Sequence, residues 1–344
     1  MKNYSISFVR FMAVLLIIGC HLLQHIYISN LAWVFNVGVQ IFLVVSGYLY
    51  GGGSRYNVIT RDPVSFIKKN AVKILSKYIT FWIILLFVLS ITKSGGSGFP
   101  EAFQWLVFQE PVKGYGHIWF IPYILLCYCL TPILLCYFRT LEKAKDVYYL
   151  IALLIGVEIV FDFFIVYFNP AWINCYIVGL YMGMNSFPAE SKHEKKQLLF
   201  TGLICMIALF VNCIRFWMKY CDIRIDGYWN TIYQRFTNYA HVLLGISVFL
   251  ICYLLFSLFS SQRKCEIKRY PLLDISDKYS FDIFFVHPFF ISGALSVRRF
   301  TNVKFLASII ALSISIAAAI ILHWFDKGLW LTVAHILNLK RTKS

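Results

Sequence analysis

Arg10 and His21 are the pair whose types and spacing first suggest chemistry. Eleven positions separate them, which on an α-helix leaves them about 20° from perfect alignment and about 16 Å apart along the axis. A helix through this segment therefore carries a polar stripe from a cation near the inner membrane surface to an imidazole past mid-depth. Imidazole suits proton transfer because its unperturbed pKa lies near neutrality. Attack by a hydroxyl oxygen needs a group that takes the hydroxyl proton as the bond forms, and a neutral histidine with one free nitrogen can do so. Two structural alternatives stand beside this reading. Arg10 can be an interface anchor that snorkels, and His21 a packed residue bonded to a neighbouring helix. His25, at i+4 from His21, shares its face and competes for the role.

Glu158 and Asp162 form a second i, i+4 pair inside an apolar run. Two carboxylates on one buried face need a cation partner or must protonate. They orient a histidine, bind a proton or ion, or pair with a basic residue. His117 stands two residues before Trp119, His241 sits in a later apolar run, and His287 precedes Pro288. His323 reads as an interface residue. There is no Cys-x-x-Cys and no Cys/His cluster with ligand spacing, so neither a metal nor redox chemistry is expected.

The elements that must position these groups follow from composition. Of the 344 residues, 60% are hydrophobic and 14% charged, and the mean hydropathy is +0.70. Soluble domains average about 25% charged residues, so lipid rather than water must cover this surface. The net charge of +16 is spread in short clusters between apolar runs, the pattern of topology signals and not of a nucleic-acid surface. Ile17–Cys20 loosely resembles a lipoprotein cleavage box, but the apolar run continues past Cys20 and reads as a span.

A hydrocarbon core of about 30 Å takes roughly 20 helical residues. Spans are expected near 7–28, 34–50, 75–92, 118–138, 147–168, 171–185, 198–217, 239–259, 279–297 and 304–324. With both termini in the cytoplasm, nine of the 32 Lys and Arg fall outside and 23 inside, as the positive-inside rule requires. The expected fold is thus an all-α, polytopic integral membrane helical bundle of about ten transmembrane helices. Residues 1–326 read as one transmembrane domain, and 327–344 as a short basic cytoplasmic tail whose apolar stretch 328–339 lies along the inner interface. Gly179-x-x-x-Gly183 reads as close helix packing, and Gly47 and the Gly51–Gly53 run as the mark of a span end. In the outer loop 218–238, Tyr228, Trp229 and Tyr233 either stack on sugar rings or anchor at the interface.

The chain resembles the membrane acyltransferase-3 family, bacterial O-acyltransferases of surface polysaccharides and related lipids. Arg10-x10-His21 is similar to the family's N-terminal signature. Gly38–Tyr48, ending in Ser46-Gly47-Tyr48, resembles its second-span motif. His117–Ile121 resembles the start of its fourth span, and Ser280–Pro288 its late Tyr-x-x-His-Pro segment. The resemblance runs from Tyr4 to Phe325. One departure stands out: where the family carries Arg-x-x-Arg, this chain has Asn70 and Lys73 after Lys68 and Lys69. Positive charge is kept and the guanidinium fork is lost.

The resemblance implies a cytoplasmic acyl-coenzyme A donor, usually acetyl-coenzyme A, and a hydroxyl on an exported or lipid-linked sugar as acceptor. Catalysis would fall to His21 and Arg10. Lys68, Lys69, Lys73, Ser46 and Tyr48 would meet the donor, with Lys77 clustered beside the lysines at the inner mouth; His117, Trp119, Glu158, Asp162, His287 and Trp229 would line the substrate path. It also implies a plasma-membrane setting beside other polysaccharide-biosynthesis proteins. The rival reading is a proton-coupled transporter or flippase using Glu158 and Asp162, although the inverted repeats common in transporters are not detected.

Overall fold

The computed structural model describes residues 3–27, 31–52, 55–92, 116–141, 146–164, 171–187, 194–262, 269–293 and 295–341. Among the described residues all regular structure is helical. The chain runs α1 (Tyr4–Ile26), α2 (Ala32–Phe35), α3 (Gly38–Gly51), α4 (Arg55–Arg61), α5 (Pro63–Thr92) and α6 (Phe120–Arg139). It continues through α7 (Asp146–Phe164), α8 (Ala171–Met184), α9 (Glu194–Tyr220), α10 (Gly227–Gln262), α11 (Pro271–Ile291) and α12 (Lys304–Arg341). Short 3₁₀ turns at Gly116–Trp119 and Val297–Arg299 precede α6 and α12.

Apart from α2 and α4, each helix overlaps one expected span. Six of them, α1, α5, α6, α9, α10 and α12, are long and apolar enough to cross a membrane. Helices α3 and α8 and the Tyr149–Glu158 part of α7 are apolar but shorter. Helix α11 is set apart by Asp274, Asp277, Lys278 and Asp282 within it.

Local chemistry sets the ends. Asn3 caps α1, its Oδ1 accepting from the amides of Ser5 (3.1 Å) and Ile6 (3.3 Å). Asp62 caps α5 through the Ser65 amide at 3.0 Å, with Pro63 at the first helical position. Helix α3 begins at Gly38 and not near 34, because α2 and a turn at Asn36–Val37 occupy the preceding residues. Helix α12 runs unbroken across 326–327, where the sequence reading ended the transmembrane domain. Residues 328–339 hold no proline to stop it, so they prolong the helix.

The helices fall into two compact units. The first comprises Met1–Cys20, Asn30–Ile67 and Tyr123–Asp277; the second comprises His21–Ser29, Lys68–Pro122 and Lys278–Ser344. In the first unit α3 lies against α8 backbone to backbone. A Cβ at Gly47 or Gly51 would strike the carbonyl oxygen of Tyr176 or Leu180, and one at Gly179 or Gly183 that of Val44 or Tyr48. Two small-xxx-small faces thus meet. Gly179 and Gly183 pack as expected, whereas Gly47 sits inside α3 and serves this seam instead of marking a span end. In the second unit Phe81 of α5, buried, meets Phe285 at 5.2 Å and Phe289 at 5.4 Å on α11.

Candidate active site

The second unit gathers three histidines that lie far apart in sequence. His21 comes from the last turns of α1, His117 from the 3₁₀ turn before α6, and His287 from α11. The His287 ring centroid lies 5.0 Å from that of His21 and 5.6 Å from that of His117. His287 is wholly buried and His117 is 5% exposed. Phe81 and Phe284 wall His117 at 6.0 and 5.1 Å between centroids.

Buried polar atoms are nearly always hydrogen-bonded, yet here they are not. Neither ring nitrogen of His117 has a partner in hydrogen-bonding geometry, nor has His21 Nδ1 or His287 Nε2. The exception is His287 Nδ1, which lies 2.9 Å from the Ile283 carbonyl one turn back. Open lone pairs and N–H groups in an apolar setting are what a reacting hydroxyl or carbonyl oxygen would engage. His25 stacks on His21 at 6.1 Å, while its carbonyl accepts from Arg298 Nη1 at 2.5 Å. Val286 and Phe289, one residue before and two after His287, line an apolar cavity of about 510 Å³ together with Ile83, Phe87, Leu322 and Phe325.

The same unit holds a buried ionic network. Asp282 on α11 is wholly buried; one oxygen pairs with Lys77 on α5 and the other accepts from His323 Nδ1 on α12 at 3.0 Å. Thr80 donates to Asp326 at 2.7 Å and accepts from Trp330 Nε1 at 3.3 Å, adding a second tie between α5 and α12. A buried carboxylate is tolerated because it is paired on both oxygens.

Against this geometry, the sequence profile of a known family, described as an acyltransferase domain, matches residues 3–324. The chain belongs to the acyltransferase-3 family. No curated protein and no solved structure matches it. Family membership and the apolar helices together make it a membrane acyltransferase.

Within this acyltransferase, the sequence-derived candidates divide between the units. Arg10 and His21 do share one continuous helix. In the first unit Asp277 pairs with Arg10 Nη1 at 3.4 Å and takes a hydrogen bond from Ser7 Oγ at 2.6 Å. Ser46 and Tyr48 lie on α3, with Tyr48 packed against Phe249 and Tyr253 at 5.7 and 5.8 Å. Glu158 accepts from the Tyr239 hydroxyl at 2.5 Å; the Asp162 side chain lies outside the described residues. Trp229, 69% exposed, opens α10.

In the second unit Lys68, Lys69 and Lys73 stand exposed along α5, and Trp119 is half-buried beside Phe120. Lys77 leaves this cationic group, because Asp282 claims its ammonium. His323, read as an interface residue, is instead the third member of that network. The acyltransferase's ionic network was missed by sequence reasoning, though Asp282 carried the available signal: a carboxylate between Phe281 and Ile283 needs a partner.

Proposed function

We propose that this membrane acyltransferase moves an acyl group, acetyl in the first instance, from cytoplasmic acyl-coenzyme A to a hydroxyl of a cell-surface polysaccharide or lipid-linked glycan. The observation that carries the reading is the cluster of buried imidazoles with open ring nitrogens in a chain of this family. A hydroxyl oxygen attacks a thioester only as its proton is removed, and His21 stands on the helix that also carries Arg10. His21 serves as general base or as transient acyl carrier. Lys68, Lys69 and Lys73 supply cations for the donor's phosphates, and Arg10 is the second catalytic residue of α1. Ten crossings with both termini cytoplasmic fit the charge distribution, in a plasma membrane shared with other glycan-assembly proteins.

The test uses membranes from cells expressing wild type, Arg10→Ala or His21→Ala at matched levels, supplied with labelled acetyl-coenzyme A. Label should appear on extracted glycan with wild type and fall by ~10²–10⁴-fold without His21. Labelling that survives the loss of His21 removes it from the catalytic role. A wild type that labels nothing with acetyl or longer donors, while still altering glycan export, points to a transporter.

A further inference from the structure

We infer that Arg215, near the end of α9, binds an anionic oxygen group on the acceptor, so that the glycan acylated here is an acidic one. The inference deepens the acyl-transfer reading above and rests on it.

A charged side chain in an apolar helix is normally paired with its opposite, and α9 is apolar enough to span a membrane. Arg215 is half-buried there, yet among the described residues no carboxylate pairs with it. Its partners are neutral and all lie in the first unit. Nη1 donates to the Thr237 hydroxyl at 2.9 Å and Nη2 to the Gln234 side-chain oxygen at 3.2 Å, both on α10. The guanidinium carbon stands 3.9 Å from the centre of the Trp33 ring on α2. In the connection that follows α9, Asp222 is taken by Arg224 at 3.3 Å, and Asp226 is exposed.

Hydrogen-bond donors exceed acceptors around this arginine. A guanidinium carries five N–H groups, so its two hydrogen bonds leave three. The Trp33 indole Nε1 is buried without an acceptor. Thr237 gives its own hydrogen to the Gln234 carbonyl at 2.9 Å. Asn212, three residues back on α9, has its side-chain oxygen against His241 Nδ1 and its amide on the Ala208 carbonyl. Lys219, one turn further along α9, shares the Arg215 face and is exposed.

A group that offers acceptors alone and carries negative charge completes this setting. Carboxylate and phosphate both do, and the guanidinium fork matches two of their oxygens at once. A neutral sugar hydroxyl brings a donor with its acceptor and leaves the positive charge uncompensated. Gln234 and Asn230 are exposed, so the surface reaches this edge of the cluster. The donor's phosphates are not the occupant. On the proposed topology they arrive from the cytoplasm, where Lys68, Lys69 and Lys73 lie, whereas α9 ends outside. The anion therefore belongs to the acceptor, as the carboxylate of a sugar acid or the phosphate of a lipid linkage.

The test follows transfer of labelled acetyl from acetyl-coenzyme A to glycan extracted from the expressing cells, by wild type and by Arg215→Gln. Glutamine keeps an amide donor and removes the charge. The KM for glycan should rise ~10–100-fold, while kcat, the KM for acetyl-coenzyme A and the melting temperature stay near wild type. Reducing the glycan's carboxyl groups to alcohols should raise the wild-type KM equally if the anion is a carboxylate. Releasing the glycan from its lipid phosphate should do so if the anion is that phosphate. A glycan KM that moves less than about threefold in Arg215→Gln overturns the inference and leaves a structural cation over Trp33. Should that variant fail to fold, Arg215→Lys keeps the charge and loses the fork, and its glycan KM is held to the same threshold. Binding is also read without transfer: sodium glucuronate or inorganic phosphate should raise the wild-type melting temperature in detergent beyond sodium chloride at equal ionic strength. No such rise with either anion rejects the site. A wild type that shows the rise but transfers no acyl group sinks the parent reading and leaves the anion site standing.

Discussion

His241 in the first unit and His287 in the second are both wholly buried within helices, and their surroundings treat them differently. His241 has Nε2 at 2.6 Å from the Asn36 carbonyl and Nδ1 at 2.8 Å from Asn212 Oδ1. Asn212 is itself held by the Ala208 carbonyl at 2.8 Å. Trp33 covers the ring at 4.7 Å, and Arg215 lies over Trp33 at 3.9 Å. Each ring nitrogen of this imidazole has a polar partner. Around His287 four ring nitrogens from three histidines lack partners. An unsatisfied buried group costs about 1–3 kcal/mol, so such a cluster persists only where it does something other than hold the fold. The difference separates a histidine that ties helices together from histidines kept open for a substrate.

Four variants sharpen that contrast. Asp282→Ala strands Lys77 and His323 around an empty site and should destabilise the protein by about 3–5 kcal/mol, read as a lowered melting temperature in detergent. Replacing the pair together, as Lys77→Met with Asp282→Leu, should recover most of that loss, because no charge is then left buried alone. His241→Phe should follow with a loss of about 1–3 kcal/mol while turnover per folded molecule stays at the wild-type level. His117→Phe should run the opposite way. The ring already sits among Phe81, Phe120 and Phe284, so removing two unpaired nitrogens should leave stability unchanged or raise it by about 1 kcal/mol, with turnover reduced. If His117→Phe is as destabilising as His241→Phe, the contrast between the two settings fails.

The helices themselves were legible because a hydrophobic run long enough to span lipid can hardly be anything else. Boundaries were less so: nothing in the apolar residues after Trp324 says where α12 should end, and it runs on to Arg341. The chemistry-bearing histidines were visible one by one as polar residues in apolar runs, but their convergence was not. His21, His117 and His287 are drawn together by packing between helices, which no periodicity along one helix encodes. The same holds for Lys77 and Asp282, 205 positions apart. Lys77 was therefore grouped with Lys68, Lys69 and Lys73, its neighbours along α5, when its carboxylate partner lay on α11. Gly47 waited in the same way for a counterpart on α8.

That glycine seam has a consequence for how the protein is made. Helix α3 leaves the ribosome more than a hundred residues before α8, an interval on the order of ten seconds at ordinary rates of synthesis. Throughout it, the Gly47–Gly51 face has no helix to receive, because only another glycine-lined backbone can approach so closely. The newborn α3 waits with that face uncovered by α8, and the later arrival of α8 must displace whatever has settled against it. Slowing the chain between α3 and α8 would lengthen the most exposed moment in its assembly.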